Sequence, residues 1–410
     1  MQLPEPTSDA LAASHALQQR IVDEIRHPDH DGWISFAHYM ELALYAPGLG
    51  YYSGGAKKLG KDGDFTTAPE ITPLFGAALA RIGAELMAQS SPQMLEFGAG
   101  SGRLAFDILT ELAAQNVPLE QYAIVELSGE LRARQQELLR GFPQVVWLDR
   151  LPAAFSGVVL GNEVLDAMPV QLVVKRADGW REVGVALAPG PDGERFVFRD
   201  SRDQADGSAQ PELQAQIRAQ IPDPDALPDG YLTELHAVGC GFMRTLAQML
   251  TAGSGKPGGS GKGGVALLFD YGFPAHEYYL AQRAQGTLMC HYRHHAHADP
   301  FYLPGLQDIT AHVDFSAMAQ AALDGGLELL GYSGQAAFLI AAGIGELLLR
   351  TSPDDAQRYL PQANAVQKLL SPAEMGELFK VLVVGRDVSL PEQFGRGDRS
   401  HRLQPVALYI

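Results

Sequence analysis

The chain predicts a doubly wound α/β fold around a mainly parallel sheet, and three observations carry that prediction. Residues 94–109, MLEFGAGSGRLAFDIL, read as an apolar strand, a glycine-punctuated turn and an amphipathic helix. From Gln93 onward short apolar strands alternate with helical patterns, the order expected of a parallel sheet covered by helices on both faces. With 410 residues, 46% hydrophobic and 19% charged, there is material for a large core in one elaborate domain or two smaller ones.

Taken in order, residues 1–92 read as a helical N-terminal lid with a covering loop, and residues 93–410 as the core, with an α+β insertion at about 176–264. Amphipathic helices are predicted over 11–25 and 36–45, the second started by Ser35. Residues 47–76 form a polar, glycine-rich stretch too long for a mere connector, which marks it as functional. Near its end Thr67, Pro69 and Glu70 spell a T-x-x-E capping box with proline in the first turn, predicting a helix to about Gln89. A second strand spans 121–126, a helix 128–140 and a third strand 157–162. The pieces QLVVKR, WREVGVAL and RFVFR, separated by Asp-Gly pairs at 178–179 and 192–193, predict antiparallel strands. Helices follow over 211–220 and 231–250, then the glycine-rich 252–264, expected as a mobile linker. Strands over 265–270, 379–384 and 405–410 would complete the sheet.

Composition excludes several functions. No run of about 18 apolar residues occurs, so no membrane insertion is expected, and the N-terminus lacks secretory or transit patterning, which makes a cytoplasmic location the expectation. Two cysteines, Cys240 and Cys290, give neither a disulfide framework nor thiolate metal spacing. A formal charge of −17 opposes phosphate backbones and suits a cationic partner, so nucleic acid is not expected.

The candidate chemistry begins at the turn. Gly98, Gly100 and Gly102 give G-x-G-x-G, and Arg103 stands where a dinucleotide fingerprint needs its third glycine, which points away from NAD. Glycines let a ligand approach backbone N–H groups at a helix N-terminus, and an adenosyl amino acid suits this place. Glu126 ends the next strand, where it can hold both ribose hydroxyls or simply cap the helix after Ser128. Strand, glycine turn, helix, strand and terminal acid together form a signature of S-adenosylmethionine (SAM) methyltransferases. Glu163 and Asp166 follow the 157–162 strand, at the edge where ligands gather. Two acids there can orient a guanidinium, localise its charge and accept a proton late, or else serve as first-turn caps. The histidine-rich 291–297 run is expected to be a polar loop rather than a metal site, since on an extended segment His294 would oppose His291, His295 and His297. Residues 307–315 alternate as a half-buried strand, with Asp308, Thr310, His312 and Asp314 on one face, lining a pocket or facing solvent.

Six stretches in order carry a family resemblance: GDFTTAPEITPLFG at 63–76, LEFGAGSGRLAFDIL at 95–109, NEVLDAMPV at 162–170, FDYG at 269–272, DITAHVDF at 308–315 and GYSGQAAFLIAAGI at 331–344. The chain resembles the MidA-like family, which includes mitochondrial complex I assembly proteins that act as SAM-dependent protein arginine methyltransferases. The resemblance implies a Rossmann-like class I SAM-methyltransferase sheet and SAM as cofactor. It maps the cofactor site onto Gly98, Gly100, Gly102 and Glu126, with Glu96 and Asn162 from the same motifs, and folds Asp64, Thr66, Thr67 and Pro69 over the methionine end. It further implies a protein arginine as acceptor, held by Glu163 and Asp166, on a respiratory complex I subunit or its counterpart. The alternatives are a SAM-binding scaffold with little turnover and a small-molecule methyltransferase. The linker at 252–264 and the histidines at 291–297 are departures from the family pattern.

Overall fold

The computed structural model describes residues 3–54, 67–191, 193–201, 211–254 and 262–403. Contacts divide the chain into two compact units: Met1–Phe65, Leu165–Gly239 and Phe273–Ala317 make the first, and Thr66–Val164, Cys240–Gly272 and Met318–Ile410 the second. The expected division at 92/93 therefore moves. The stretch before the glycine turn belongs with the sheet because the helix Pro73–Gln89 is apolar nearly all round, with Phe75, Leu79, Ile82 and Leu86 buried in the core cluster of the second unit. The expected insertion at about 176–264 is likewise shared between the units, its first part falling in the first and residues from Cys240 in the second.

In the second unit we number the sheet strands β1 (Gln93–Phe97), β2 (Gln121–Val125), β3 (Val145–Leu148), β4 (Gly157–Asn162), β5 (Gly264–Phe273), β6 (Glu328–Gly334) and β7 (Phe379–Arg386). Their order is β6-β7-β5-β4-β1-β2-β3. The run from β5 to β3 is parallel, whereas β7 is antiparallel to both β5 and β6. Both neighbours of β1 continue away from it in opposite directions, so the order switches at β1, and in open α/β sheets ligands bind outside the carboxyl ends at such a switch. Fully buried Met94, Tyr122, Val158, Leu267, Phe269 and Val381 fill the sheet's interior.

Three expectations for this unit are corrected. The helix expected to run unbroken from Thr67 is two helices, Ala68–Ile71 and Pro73–Gln89, because Pro73 forces Thr72 into extended backbone and Thr72 then caps the second helix through its hydroxyl on the Leu74 N–H, at 3.3 Å. Thr67 makes no side-chain cap bond, so the capping box does not form. The glycine-rich segment starts later than expected, since the helix Ala237–Ser254 runs into it; residues 255–261, like the strand expected at 405–410, lie outside the described residues.

The first unit packs the helices Ser8–Ile25 and Phe36–Tyr45 against an antiparallel sheet. Ser35 caps the second helix as expected, accepting from the His38 N–H at 3.1 Å. The sheet order is Trp33–Ser35, Gly179–Gly190, Gln171–Arg176, Leu232–Leu235, with Gly193–Asp200 also paired to Gly179–Gly190. Its hairpins turn one residue earlier than the Asp-Gly pairs suggest: Arg176 pairs with Gly179 and Gly190 with Gly193, so each glycine closes a hairpin, with φ +128° and +123°. Residues 231–236, expected as the start of a helix, hold a strand instead, since the alternating pattern YLTELH pairs Leu232–Leu235 with Gln171–Arg176. Among the described residues no helix is long and apolar enough to cross a membrane.

Candidate active site

The glycine turn joins β1 to the helix Arg103–Ala114. Gly98, Gly100 and Gly102 have φ of +59°, +55° and +84°, values that cost an L-residue about 1–2 kcal/mol. The Gly98 N–H donates to the Val125 carbonyl at 3.0 Å, which ties the turn to the end of β2. Gly102 is the N-cap of the helix, and having no side chain it leaves the helix terminus uncapped from that position. Ser101 donates to Glu70 of the helix Ala68–Ile71, so the segment before the sheet is pinned to the turn. A Cβ at Gly102 would sit 3.2 Å from Gln135 Cγ in a backbone conformation valine avoids. Gly102→Val should therefore weaken SAM binding at least about tenfold, read by calorimetry on the full chain.

Glu126 lies just past β2, half-buried. Its Oε1 accepts from the Ser128 N–H at 2.9 Å and its Oε2 from the Gln135 amide at 3.0 Å. Burial pushes its carboxyl above the usual range, while the Ser128 N–H, the Gln135 amide and the Gly100 and Leu127 N–H groups favour the charged form. The capping contact to Ser128 and a ligand role are compatible, since an ionised carboxylate offers about four acceptor positions. Beside it Leu127 is 79% exposed, an apolar side chain left open next to the acid. Glu96, on β1, is 3% exposed and accepts from the Tyr122 hydroxyl at 2.6 Å. Burial raises its carboxyl to about 7, against the lowering effect of Tyr122, and the nearby charge of Glu126 pushes it the same way as burial.

At the end of β4, Glu163 has φ +54°, a left-handed conformation held from both sides: its own N–H donates to the Phe269 carbonyl at 2.8 Å and the Val164 N–H to Asp270 Oδ2 at 3.1 Å. Asp270, fully buried, also accepts from the Tyr271 N–H. The Asn162 amide donates to Glu163 Oε1 at 3.1 Å, while Asn162 Oδ1 is buried without a protein partner. An orphaned acceptor costs about 1–3 kcal/mol unless something donates to it, and it lies on the residue adjoining Glu163. Three left-handed glycines, a carboxylate and this open acceptor, all in the second unit, suit a ligand rich in hydroxyl and amino groups.

The remaining expected residues are distributed differently. Thr67 is half-buried and Pro69 buried, both in the second unit, whereas Asp64 and Thr66 lie outside the described residues. Asp166 belongs to the first unit and is 5% exposed, its carbonyl accepting from the Ala311 N–H. In the same unit Tyr45 donates to the Ala167 carbonyl at 2.9 Å and Tyr52 to both oxygens of Asp308 at 3.0 Å. The polar face of 308–314 is internal and not a solvent face: Asp308, Thr310 and Asp314 are buried, and Asp314 accepts from Tyr279 and from two N–H groups of the following helix. The histidine-rich run is no extended segment but a hairpin, Met289–Tyr292 on His295–His297, turned by Arg293 and His294 with positive φ. Sequence reasoning missed Gln135, Trp147, Asp270 and Leu127. Leu131 and Gln135 are a helical turn apart and both buried, so Gln135 stands on the inner face of its helix, and Asp270 closes the apolar run VALLF as Glu126 closes YAIV.

Comparison with known proteins bears directly on this geometry. A family model described as "Putative S-adenosyl-L-methionine-dependent methyltransferase" matches residues 76–333. The chain is 30% identical over 386 residues to the mitochondrial protein arginine methyltransferase NDUFAF7 of Danio rerio, covering 86% of this chain and 83% of that protein. Its homologue in Caenorhabditis elegans is 29% identical, with coverage of 82% and 78%. A solved structure from Burkholderia thailandensis, described as a "likely methyl transferase" bound to S-adenosyl-homocysteine, is 51% identical with a TM-score of 0.87 over 98% of this chain and all of that one. A native structure from the same organism has the same identity and a TM-score of 0.85. The fold is thus that of a methyltransferase, SAM is its cofactor, and the chain belongs to the MidA-like family of SAM-dependent methyltransferases.

Proposed function

We propose that the protein transfers the methyl group to a guanidinium nitrogen of an arginine in a protein partner. The observation that carries this reading is Glu163: a carboxylate at the carboxyl end of a central strand, held in left-handed backbone by two hydrogen bonds. Strain of that kind persists where the surroundings over-determine it, and functional sites are where it collects.

The residues proposed to hold the cofactor are Gly98, Gly100, Gly102, Glu96 and Asn162, with Glu126 for the ribose hydroxyls and Thr67 and Pro69 for the methionine end. Leu127 offers an apolar face suited to adenine. Bound there, SAM supplies an electrophilic methyl on a sulfonium. Transfer to nitrogen is an in-line displacement and needs a lone pair aimed at the methyl carbon in a water-poor site. A guanidinium, with a pKa above about 12, is charged and delocalised, so its carboxylate partners localise the positive charge away from the attacking nitrogen and take the proton released after attack. Glu163 fills that role in this proposal. The net charge of −17 favours a cationic acceptor, and the relatives above carry the name of protein arginine methyltransferases.

The test is transfer of tritiated methyl from SAM into a lysate of cells lacking the gene, followed by amino-acid analysis of labelled protein. Methylarginine in a discrete protein band is the expected result. Label confined to small molecules, or no label from protein that binds SAM, would overturn the acceptor assignment and favour a small-molecule enzyme or a scaffold respectively.

A further inference from the structure

Gln135 is buried on the helix Gly129–Leu139, and all of its amide is engaged. Its Nε2 donates to the Gly100 carbonyl at 2.9 Å and to Glu126 Oε2 at 3.0 Å, and its Oε1 accepts from the Trp147 indole at 2.9 Å. An indole N–H can only donate, so Trp147, on β3, fixes which end of the amide faces it and leaves the NH2 facing the turn and the acid. One side chain thereby joins the middle glycine of the turn to the carboxylate after β2, and a residue of the third strand locks it. The other Glu126 oxygen is set by the Ser128 N–H, so the carboxylate plane is held at both ends.

We infer that Gln135, locked by Trp147, is a positioning residue that sets the Glu126 carboxylate for the ribose hydroxyls and thereby determines cofactor affinity. The inference rests on Glu126 being the ribose acid. A group aimed by fixed neighbours loses less freedom when its ligand arrives, which is why such outer partners matter to affinity although they touch no ligand.

The experiment is calorimetry on the full chain with S-adenosylhomocysteine and its 2′-deoxy analogue. Gln135→Met keeps the volume and removes both donations, and it should weaken S-adenosylhomocysteine about tenfold or more while weakening the deoxy analogue less than about threefold. Trp147→Phe leaves the glutamine but frees its amide, and an intermediate loss with the same hydroxyl dependence is expected; it also serves should Gln135→Met not fold. Equal losses for both nucleosides, or no loss for either, would overturn the positioning role, because a side chain that merely braces the turn has no preference for the hydroxyl. Glu126→Gln run in parallel separates the two levels. If it leaves S-adenosylhomocysteine binding intact, the ribose reading falls and this inference with it; if it weakens binding while Gln135→Met does not, only the positioning role is lost.

Discussion

Glu163→Gln should lower kcat by at least about a hundredfold while leaving S-adenosylhomocysteine affinity within about threefold of wild type. The substitution keeps length and hydrogen-bonding shape, including an oxygen able to accept from the Asn162 amide, and removes only the charge. Under the proposed chemistry the charge is what the reaction uses, since a neutral amide can neither localise a guanidinium's charge nor accept its proton. A second variant makes the argument sharper. At φ +54° an L-residue is strained by about 1–2 kcal/mol, whereas glycine adopts the conformation freely at a chain-entropy cost of roughly 0.5–1 kcal/mol. Glu163→Gly is therefore expected to be inactive yet no less stable than wild type in denaturant titration. A structural acid behaves the opposite way: its removal would leave transfer intact and destabilise the fold by more than about 1 kcal/mol, and that pairing of results would remove Glu163 from the chemistry.

The parts of the fold that rest on local pattern are legible in the sequence. The β-branched and aromatic runs of 171–199, broken by Asp-Gly pairs, announce hairpins, and the helix at Phe36–Tyr45 has its serine cap, so propensity and packing agree there. Strands β3 and β6 were not foreseen: VVWL is too short to show a period, and β6 carries a bulge between Leu329 and Gly331 that breaks its alternation. The break at Thr72–Pro73 was masked by a capping motif whose glutamate turned out to serve Ser101. Assignment of segments to units was not legible at all, because which of three discontinuous stretches pack together is settled by long-range contacts that no window of sequence contains.

The candidate site divides in the same way. Glycines with positive φ and acids after apolar strands announce themselves by residue type, which is why Gly98, Gly100, Gly102, Glu126 and Glu163 could be named. Groups that act through those residues carry no such mark. Gln135 looks like any polar residue of a helix whose composition is mostly hydrophilic, and its value comes only from partners drawn from the turn, the β2 acid and β3. The burial of Asp308, Thr310 and Asp314 was equally hidden, since alternation shows that one face is polar without showing which face meets water.

Stability should fall as pH rises from 5 to 8, and Glu96→Gln should remove about 2–3 kcal/mol of that fall. Burial raises the Glu96 carboxyl from 4.5 to about 7, so the folded protein holds this proton more tightly than the unfolded chain does. The stabilisation it provides is fully present below pH 4.5 and is lost as pH rises through about 7, because above that point folding must keep a charge in a site 3% exposed. Glu126 and Asp107 in the same unit, and Asp314 in the other, are raised too, while burial lowers His236 to about 4 and works in the opposite direction over the same range, so the wild-type slope alone does not isolate one residue. The double difference between wild type and Glu96→Gln at the two pH values does, and parallel stability curves for the two proteins would show that Glu96 does not hold the proton. A buried acid that burdens the fold near neutrality is best explained by what it gains in the bound state. As a proposed cofactor residue, Glu96 beside Glu126 puts negative potential at the end of β1, and a sulfonium is a cation whereas the thioether of the product is neutral. The stabilisation conferred by SAM should therefore increase from pH 5 to pH 8 more than that conferred by S-adenosylhomocysteine, and Glu96→Gln should reduce the difference to what Glu126 alone supplies; equal increments for the two ligands in wild type would assign Glu96 to the fold alone.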